Sequence, residues 1–220
     1  MTPTIAPTPP LPPKQVVYPE TDGMPMAENT EQFSWIVIIK EGLEWLFANR
    51  VDVFVAGDLF WYPVEGDNTI RQAPDVMVAL GRPKGKRSSY LQWLEGNLAP
   101  QVVFEIISPG NTYAEMVRKF RFYERYGVEE YYVYDPERKS LAGWLRQGNT
   151  LVEIPAMQDW QSPRLGVKFA LNADGELALT RPDGESFVGY VDMARQRQQE
   201  RQRAERLAAQ LRALGIEPEA

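Results

Sequence analysis

The first pattern of hydrophobic positions along the chain has the period of an α-helix. Between residues 29 and 49, apolar side chains recur three and four positions apart, which places them on one face of a helix. Asn29 or Thr30 can cap its first turn. The pattern therefore predicts an amphipathic helix. The apolar series consists of Phe33, Ile36, Val37, Leu43, Leu46 and Phe47, with Lys40 at the same spacing.

Short runs rich in β-branched and aromatic residues follow this helix. They predict strands at residues 51–55, 59–63 and 75–80, with a turn at 65–68 between the second and the third. Consecutive strands usually lie next to each other in a sheet. The simplest arrangement of these three is an antiparallel meander.

The run at residues 101–107 shows no clean alternation of apolar and polar positions, so both faces of its strand should be covered by other elements. A helix from about Thr112 to Tyr126, closed by Gly127, and a strand at 131–134 come next. A strand, a helix and a strand in this order predict a parallel pair. We expect the run 101–107 to be a central strand.

Both ends of the chain differ from this central part. The first 26 residues hold eight of the 18 prolines and predict a disordered or extended tail. Residues 27–189 should form one α/β domain, in which further short strands extend the sheet or cap it. An Arg/Gln-rich helix is predicted within 190–220, and its seam is too polar for a strong coiled coil. The further strands are predicted at 141–145, 151–154, 167–171 and 177–180, and the seam consists of Ala194, Arg201, Ala204, Ala208 and Leu211.

Composition narrows the chemistry that such a domain can carry. The chain contains no histidine and no cysteine, which excludes Ser-His-Asp and Cys-His catalysis, zinc sites built on thiolate or imidazole, and disulfides. Carboxylate oxygens remain, and they suit a hard cation such as Mg²⁺ or Mn²⁺. The net charge of −6 disfavours indiscriminate nucleic-acid binding but leaves room for a local basic groove. No apolar run approaches the roughly 20 residues of a membrane-spanning helix, and we expect a cytoplasmic protein.

Two acids lie within or at the start of predicted apolar strands. Glu105 lies inside an apolar strand, where an ionised carboxylate without a partner is costly. Asp75 opens the strand 75–80 after Pro74, and a Pro-Asp pair at such a place is also an ordinary turn. Glu105 should therefore have a cation nearby, whereas Asp75 by itself indicates little.

Lys119 is the cation that the helix at 112–126 can supply. On an ideal helical wheel it falls within the aromatic arc that faces the sheet, while the arginines of this helix fall on the opposite side. A lysine that snorkels to solvent, or that pairs with Glu115, would show the same pattern. Because the helix directly follows the strand of Glu105, we favour a lysine directed at the acids. The arc contains Tyr113, Met116, Phe120, Tyr123 and Tyr126, and the arginines are Arg118, Arg121 and Arg125.

Two carboxylates and a lysine meet the needs of metal-assisted phosphodiester hydrolysis. The acids can hold Mg²⁺ together with a backbone carbonyl, that of Ile106, and the lysine can orient the attacking water or lower its pKa. A glycosidase also uses two carboxylates, but its acids line an open, sugar-sized cleft rather than an apolar sheet beside a lysine. Nuclease chemistry is therefore the better interpretation.

The same residues carry a family resemblance. Pro74-Asp75, the segment EIISP at 105–109, Lys119 and the segment GVEEYYVYDP at 127–136 resemble the Uma-type endonuclease family, first catalogued as a domain of unknown function. That family belongs to the PD-(D/E)XK, or restriction-endonuclease-like, superfamily. The resemblance is good over about 29–135. It implies a restriction-endonuclease-like mixed central sheet flanked by helices, a Mg²⁺ or Mn²⁺ cofactor and a nucleic-acid substrate, which we expect to be DNA.

By this resemblance Asp75 and Glu105 bind the metal and Lys119 is the catalytic lysine. The superfamily places its lysine two residues after the acid on the same strand, and Ile107 occupies that position here. The resemblance implies that the lysine has moved to the following helix. Its long side chain could reach the same point in space from there.

Further acids could complete the site. The superfamily tends to place an acid on its first core helix, where Glu31, Glu41 and Glu44 are candidates unless Gln32 holds that position. Asp58 resembles an Asp that recurs before the family's second strand, although it could equally form a turn. We therefore consider Asp58 and Glu41 as possible additional acids.

A basic loop directly after the strand of Asp75 is a candidate phosphate clamp. Its cations are Arg82, Lys84, Lys86 and Arg87. With this loop, the sequence supports a Mg²⁺-dependent nuclease that acts on DNA. The alternative is a catalytically weak fold of the same superfamily that binds nucleic acid, or that forms a homodimer or recruits a partner protein, through its C-terminal helix.

Overall fold

The computed structural model describes residues 16–21, 23, 27 and 29–213. Within this part, three α-helices, one 3-10 helix and eleven strands follow one another. The helices are α1 (Thr30–Leu46), α2 (Tyr113–Tyr126) and α3 (Tyr190–Ala213), and the 3-10 helix is Gln92–Glu95. The strands are β1 (Val53–Gly57), β2 (Trp61–Tyr62), β3 (Val76–Leu80), β4 (Tyr90–Leu91), β5 (Val102–Ile106), β6 (Glu130–Asp135), β7 (Ser140–Gln147), β8 (Thr150–Glu153), β9 (Trp160–Gln161), β10 (Lys168–Leu171) and β11 (Leu177–Thr180).

A mixed six-stranded sheet with the order β1-β3-β5-β6-β7-β8 forms the centre of the protein. Strands β5 and β6 are parallel, and the other neighbouring pairs are antiparallel. All five residues of β5 are buried, as expected for a strand covered on both faces. The α/β class, the parallel β5-α2-β6 unit and the central position of β5 are thus confirmed.

Alternation along the strands divides the core into two layers. On one face, Phe104 and Tyr132 pack in a cluster with the apolar face of α1. On the other face, Val103 and Tyr131 pack in a cluster with α2, which contributes the fully buried Tyr123. Glu105 belongs to the α2 face because it lies two residues after Val103.

Helix α1 begins as its sequence predicts, because the Asn29 side chain accepts a hydrogen bond of 2.8 Å from the backbone N–H of Gln32. Its buried face agrees with the predicted one in part, because Ile36, Leu43 and Phe47 are buried as expected. Phe33 is 46% exposed and Val37 is 38% exposed. The buried residues are Gln32, Ile36, Ile39 and Leu43.

The predicted meander of the first three strands is wrong. Strand β1 pairs directly with β3, whereas β2 leaves the central sheet and pairs in parallel with β4. The chain turns away at Asp58, which follows β1 with a positive φ of 45° and whose N–H donates to the carbonyls of Pro74 and Asp75. The fully buried Trp61 of β2 packs instead on the aromatic side chains of α2.

The C-terminal strands both extend and cap the central sheet, the two roles that the sequence left open. Strands β7 and β8 continue the sheet, while β9, β10 and β11 form a separate three-stranded sheet. This small sheet packs over the α1 face of the core, where Phe169 stacks on Tyr132 with ring centroids 4.3 Å apart.

A buried carboxylate, that of Glu130, connects β6 to the loop before β10. Glu130 is 1% exposed and accepts hydrogen bonds from the hydroxyls of Ser162 and Tyr132 and from the backbone N–H of Arg164. Burial raises the pKa of Glu130, although the three hydrogen bonds oppose this shift. These contacts hold the loop at 162–164 against the central sheet.

Replacing Glu130 by alanine should lower the free energy of unfolding by about 2 kcal/mol, because three buried donors lose their acceptor. In Glu130→Gln the difference from wild type should depend on pH. Since the folded pKa is raised, wild type is favoured most below the ordinary glutamate pKa of about 4.3 and loses that advantage as the pH rises through the raised value. Urea denaturation over a pH series measures this. A difference between the two proteins that stays constant with pH would contradict a perturbed Glu130.

The two ends of the described chain differ in their contacts. None of the described residues of α3 is buried. At the other end, the Tyr18 ring packs against Tyr62 and Trp93. The rest of the predicted tail and residues 214–220 lie outside the described residues, so the predicted domain boundaries stay predictions. No described helix combines the length and the apolar character needed to cross a membrane.

Candidate active site

Glu105 is held by two donors from a single helix. Its carboxylate is 1% exposed on the α2 face of β5. Lys119 donates to Oε2 at a distance of 2.8 Å, and the Tyr123 hydroxyl donates to Oε1. Lys119 and Tyr123 are four residues apart, so they project from the same face of α2 one turn from each other. Both oxygens of the buried acid therefore have a fixed partner.

Asp75 lies beside Glu105 because of the strand register. Strands β3 and β5 pair Val76 with Phe104, and the same register continued by one residue sets Asp75 opposite Glu105. Asp75 is 7% exposed, and its Oδ2 accepts a hydrogen bond of 2.6 Å from the N–H of Ile106. The two acids thus sit at one end of the sheet, on the side of α2.

The neighbouring charge of Glu105 affects the pKa of Asp75. Burial raises the pKa of Asp75 well above its ordinary value, and the negative charge of Glu105 raises it further, against the opposing effects of Lys119 and the Ile106 N–H. Two carboxylates with one ammonium carry an excess negative charge in a poorly hydrated place. A further cation or a proton would offset that charge.

Lys119 stays protonated in this setting. Burial alone would lower the pKa of its ammonium, but the charges of Glu105 and Asp75 outweigh burial, so the pKa is raised. A lysine of this kind acts as a charged hydrogen-bond donor and not as a general base. The three arginines of α2 lie exposed on its outer face, as the helical wheel predicts: Arg118, Arg121 and Arg125.

The backbone of Ile106 adds an oxygen to the same end of the sheet. In a strand, the N–H and the C=O of one residue point to the same side, so the Ile106 carbonyl faces β3 and Asp75. It accepts a hydrogen bond of 3.0 Å from Nε2 of Gln32. Gln32 is therefore the polar residue of α1 that reaches the end of β5.

The other acids that the sequence suggested, Glu41 and Asp58, both have exposed side chains. Glu41 is exposed and pairs with Lys40 at 2.9 Å. Asp58 has an exposed side chain, and its backbone N–H ties the end of β1 to the residues before β3. Within the residues that the structure describes, no group of three or more acids could hold a metal ion. The candidate site is thus an acid pair.

This donor set fits a hard divalent cation. Asp75, Glu105 and the Ile106 carbonyl offer only oxygen atoms, which Mg²⁺ and Mn²⁺ prefer. Mg²⁺ usually takes one or two carboxylates and keeps several water molecules, so a pair of acids is enough. The crowding of two buried carboxylates beside one lysine also favours a cation at this point.

The basic loop after β3 is largely occupied by ion pairs. Arg82 and Arg87 both bind Glu95, at 2.9 and 2.6 Å, and Arg87 also lies over the Phe54 ring. Lys84 pairs with Glu44 at 3.2 Å. The remaining cation, Lys86, is exposed. The two arginines therefore hold the loop together, while the lysines face solvent.

Sequence reasoning assigned Tyr123 only to the sheet-facing arc of α2 and missed its contact with Glu105. The four-residue spacing from Lys119 was the available signal, because residues at that spacing share a helix face. Gln32 was considered only as a substitute for an acid. Its reach to Ile106 depends on how α1 packs, which the sequence does not reveal.

Comparison with known proteins identifies the family of this chain. Residues 24–174 match the model of the Uma2 family, described as "Putative restriction endonuclease". A solved structure described as a putative nuclease belonging to DUF820, from Anabaena variabilis, matches with 13% sequence identity and a TM-score of 0.47, covering 63% of this chain and 75% of that chain. No curated protein matches. Since the family model spans more than half of the sequence, the chain belongs to the Uma2 family of restriction-endonuclease-like proteins, as its motifs predict.

Proposed function

We propose that the protein is a Mg²⁺-dependent endonuclease that hydrolyses phosphodiester bonds in DNA. The observation that carries the proposal is the buried cluster of Asp75, Glu105 and Lys119 at one end of the central sheet. Membership of the Uma2 family, described as "Putative restriction endonuclease", supports nuclease chemistry. The all-oxygen donor set supports a hard metal ion.

Asp75, Glu105 and the Ile106 carbonyl would hold the metal ion. When bound, a metal ion of this kind acts as a Lewis acid that offsets the charge developing on the phosphate. Asp75 is oriented by the Ile106 N–H, and Glu105 is oriented by α2. Both acids are therefore positioned before substrate binds, which lowers the reorganisation needed for the reaction.

Lys119 would orient the attacking water. Its ammonium has three N–H donors, so the hydrogen bond to Glu105 leaves others for a water molecule or a phosphate oxygen. The raised pKa keeps the charge in place, and the buried surroundings strengthen its field. Lys119 would thus take the role of the lysine that the superfamily places on the strand, two residues after the acid. In this chain Ile107 occupies that strand position.

Phosphate contacts outside the acid pair are expected from the exposed side of the basic loop. With a net charge of −6, the chain needs local cations to approach DNA. Lys84 and Lys86 face solvent on the loop that follows β3. Arg82 and Arg87 would support them by holding the loop through Glu95.

A second candidate function is supported by α3. It exposes Leu207 and Leu211, at 51% and 36%, and none of its described residues is buried, although helices in proteins are stabilised mainly by packing of an apolar face. The protein could therefore bind nucleic acid, a second copy or a partner protein through α3 without efficient cleavage. A truncation before Tyr190 that changes neither assembly mass nor DNA binding would exclude this function.

Cleavage assays test the main proposal. Wild-type protein should cut plasmid and single-stranded DNA in Mg²⁺, and chelation by EDTA should stop the reaction. Glu105→Gln should lose most of this activity, since the amide still accepts hydrogen bonds but binds a cation poorly. Glu153→Gln, at an exposed acid on β8, is the matched control. Equal residual cleavage by wild type and Glu105→Gln would refute the site, and preferential cutting of RNA would refute DNA as the substrate.

A further inference from the structure

Tyr123 contributes more to the acid pair than packing. Its ring is fully buried and stacks parallel to Trp61, with an interplanar angle of 2°, and it packs edge-on against Phe122. Rings on two sides fix its position. The hydroxyl is thereby held against Oε1 of Glu105. The proposed hydrolysis assigns no role to this contact.

Tyr131 places a second phenol on the same side of the sheet. It lies on β6 beside Val103, is 1% exposed, and its ring centroid is 5.1 Å from that of Tyr123. Within the described part of the chain, its hydroxyl has no hydrogen-bond partner. The Tyr131 ring thus lies against the ring whose hydroxyl contacts Glu105. Burial raises the pKa of Tyr131, as do the charges of Glu105 and Asp75.

Packing alone does not account for these two hydroxyls. The same layer contains Phe120 and Phe122, whose rings pack against Tyr131 and Tyr123. A phenylalanine would fill the space of either tyrosine equally well. A buried hydroxyl without a partner costs about 1–3 kcal/mol. An acceptor beside the acids, such as an ordered water molecule, would remove that cost.

We propose that Tyr123 and Tyr131 are positioning residues of the acid pair. Tyr123 locks the rotation of the Glu105 carboxylate, so that its remaining lone pairs point toward the metal position. Tyr131 donates to a water molecule held beside Asp75 and Glu105. This inference rests on the proposed metal site. It goes beyond that site because neither phenol binds the metal ion itself.

Binding of Mn²⁺ to Tyr123→Phe, Tyr131→Phe and wild type, measured by titration calorimetry, tests the inference. Tyr123→Phe should bind Mn²⁺ about 10-fold more weakly, at the lower end of the 10–100-fold loss typical for residues that orient a ligand. Tyr131→Phe should also bind more weakly, without any decrease in its thermal unfolding midpoint. Tyr126→Phe, on the same helix and packed on Trp61 and Phe122, should bind like wild type.

The outcomes separate this inference from the proposed function. Wild-type Mn²⁺ affinity in both Tyr123→Phe and Tyr131→Phe would overturn it, even if their unfolding midpoints fall, because a purely structural tyrosine changes stability alone. Wild-type affinity in one variant would overturn the role of that residue. A wild-type protein that binds no Mn²⁺ would overturn the inference together with the metal site. If wild type binds Mn²⁺ but cuts no nucleic acid, only the proposed function fails.

Discussion

Replacing Lys119 by arginine should lower the rate of Mg²⁺-dependent DNA cleavage by about 10²–10³-fold, the loss typical when one preorganised donor to the reacting centre is removed. Arginine keeps the positive charge beside Glu105, so the buried acid is not left unpaired. Its planar guanidinium cannot place a donor where the ammonium sat. The rate should therefore fall although the fold is retained.

Two further variants define the Lys119 experiment. Lys119→Met removes the charge as well, and should cost about 3 kcal/mol of stability because it leaves Glu105 buried without its cation. Arg121→Met removes a cation from the exposed face of the same helix and should cleave like wild type. Initial rates on a plasmid substrate, with circular dichroism to verify folding, provide the measurement. A folded Lys119→Arg variant with the wild-type rate would show that the lysine has no part in catalysis.

Replacing Asp75 by asparagine should stabilise the metal-free protein and remove its metal site. The amide avoids placing a second negative charge beside Glu105 in a buried position, and its oxygen can still accept from the Ile106 N–H. We expect the thermal unfolding midpoint of the metal-free variant to rise above that of wild type, because burial and the charge of Glu105 both disfavour the ionised Asp75. Mn²⁺ affinity should fall by more than about 100-fold, because a direct ligand is lost.

Opposite changes in stability and affinity are the signature of this Asp75 substitution. Residues of binding sites commonly lower the stability of the folded protein. A variant that is more stable than wild type and no longer binds Mn²⁺ would show that Asp75 is such a residue. Thermal unfolding in EDTA and Mn²⁺ titration measure the two quantities. Asp159→Asn, at an exposed acid with a positive φ of 60°, is the control. A variant less stable than wild type would mean that Asp75 is a structural acid.

Local patterns predicted the part of the site that lies on one strand and one helix. The wheel of α2 directed Lys119 inward because helical periodicity is a local property, and the structure places its ammonium on Glu105. The apolar neighbours of Glu105 likewise indicated a buried charge, and the carboxylate is buried. Asp75 carried no such signal, because its place beside Glu105 comes from the register between β3 and β5.

Contacts between segments that are distant in the sequence could not be predicted either, because they depend on packing and strand register rather than on local patterns. Strand β2 has two residues, and its partner β4 lies beyond β3 in the chain. The strand predicted at 131–134 did not include Glu130, whose partners at 162–164 lie in the loop between β9 and β10. In α1, the periodic series correctly included the buried Ile36 and Leu43, but only packing against the sheet shows that Ile39 is buried while Phe33 is exposed.

The most direct test of the proposed metal centre is anomalous scattering from a crystal soaked in Mn²⁺. We predict a peak within about 2.0–2.6 Å of carboxylate oxygens of both Asp75 and Glu105, the range of oxygen ligands around hard divalent ions, with the Ile106 carbonyl as a further ligand. The same crystal of Asp75→Asn should lose the peak. A wild-type crystal that binds Mn²⁺ only at surface acids, with none between Asp75 and Glu105, would contradict the account.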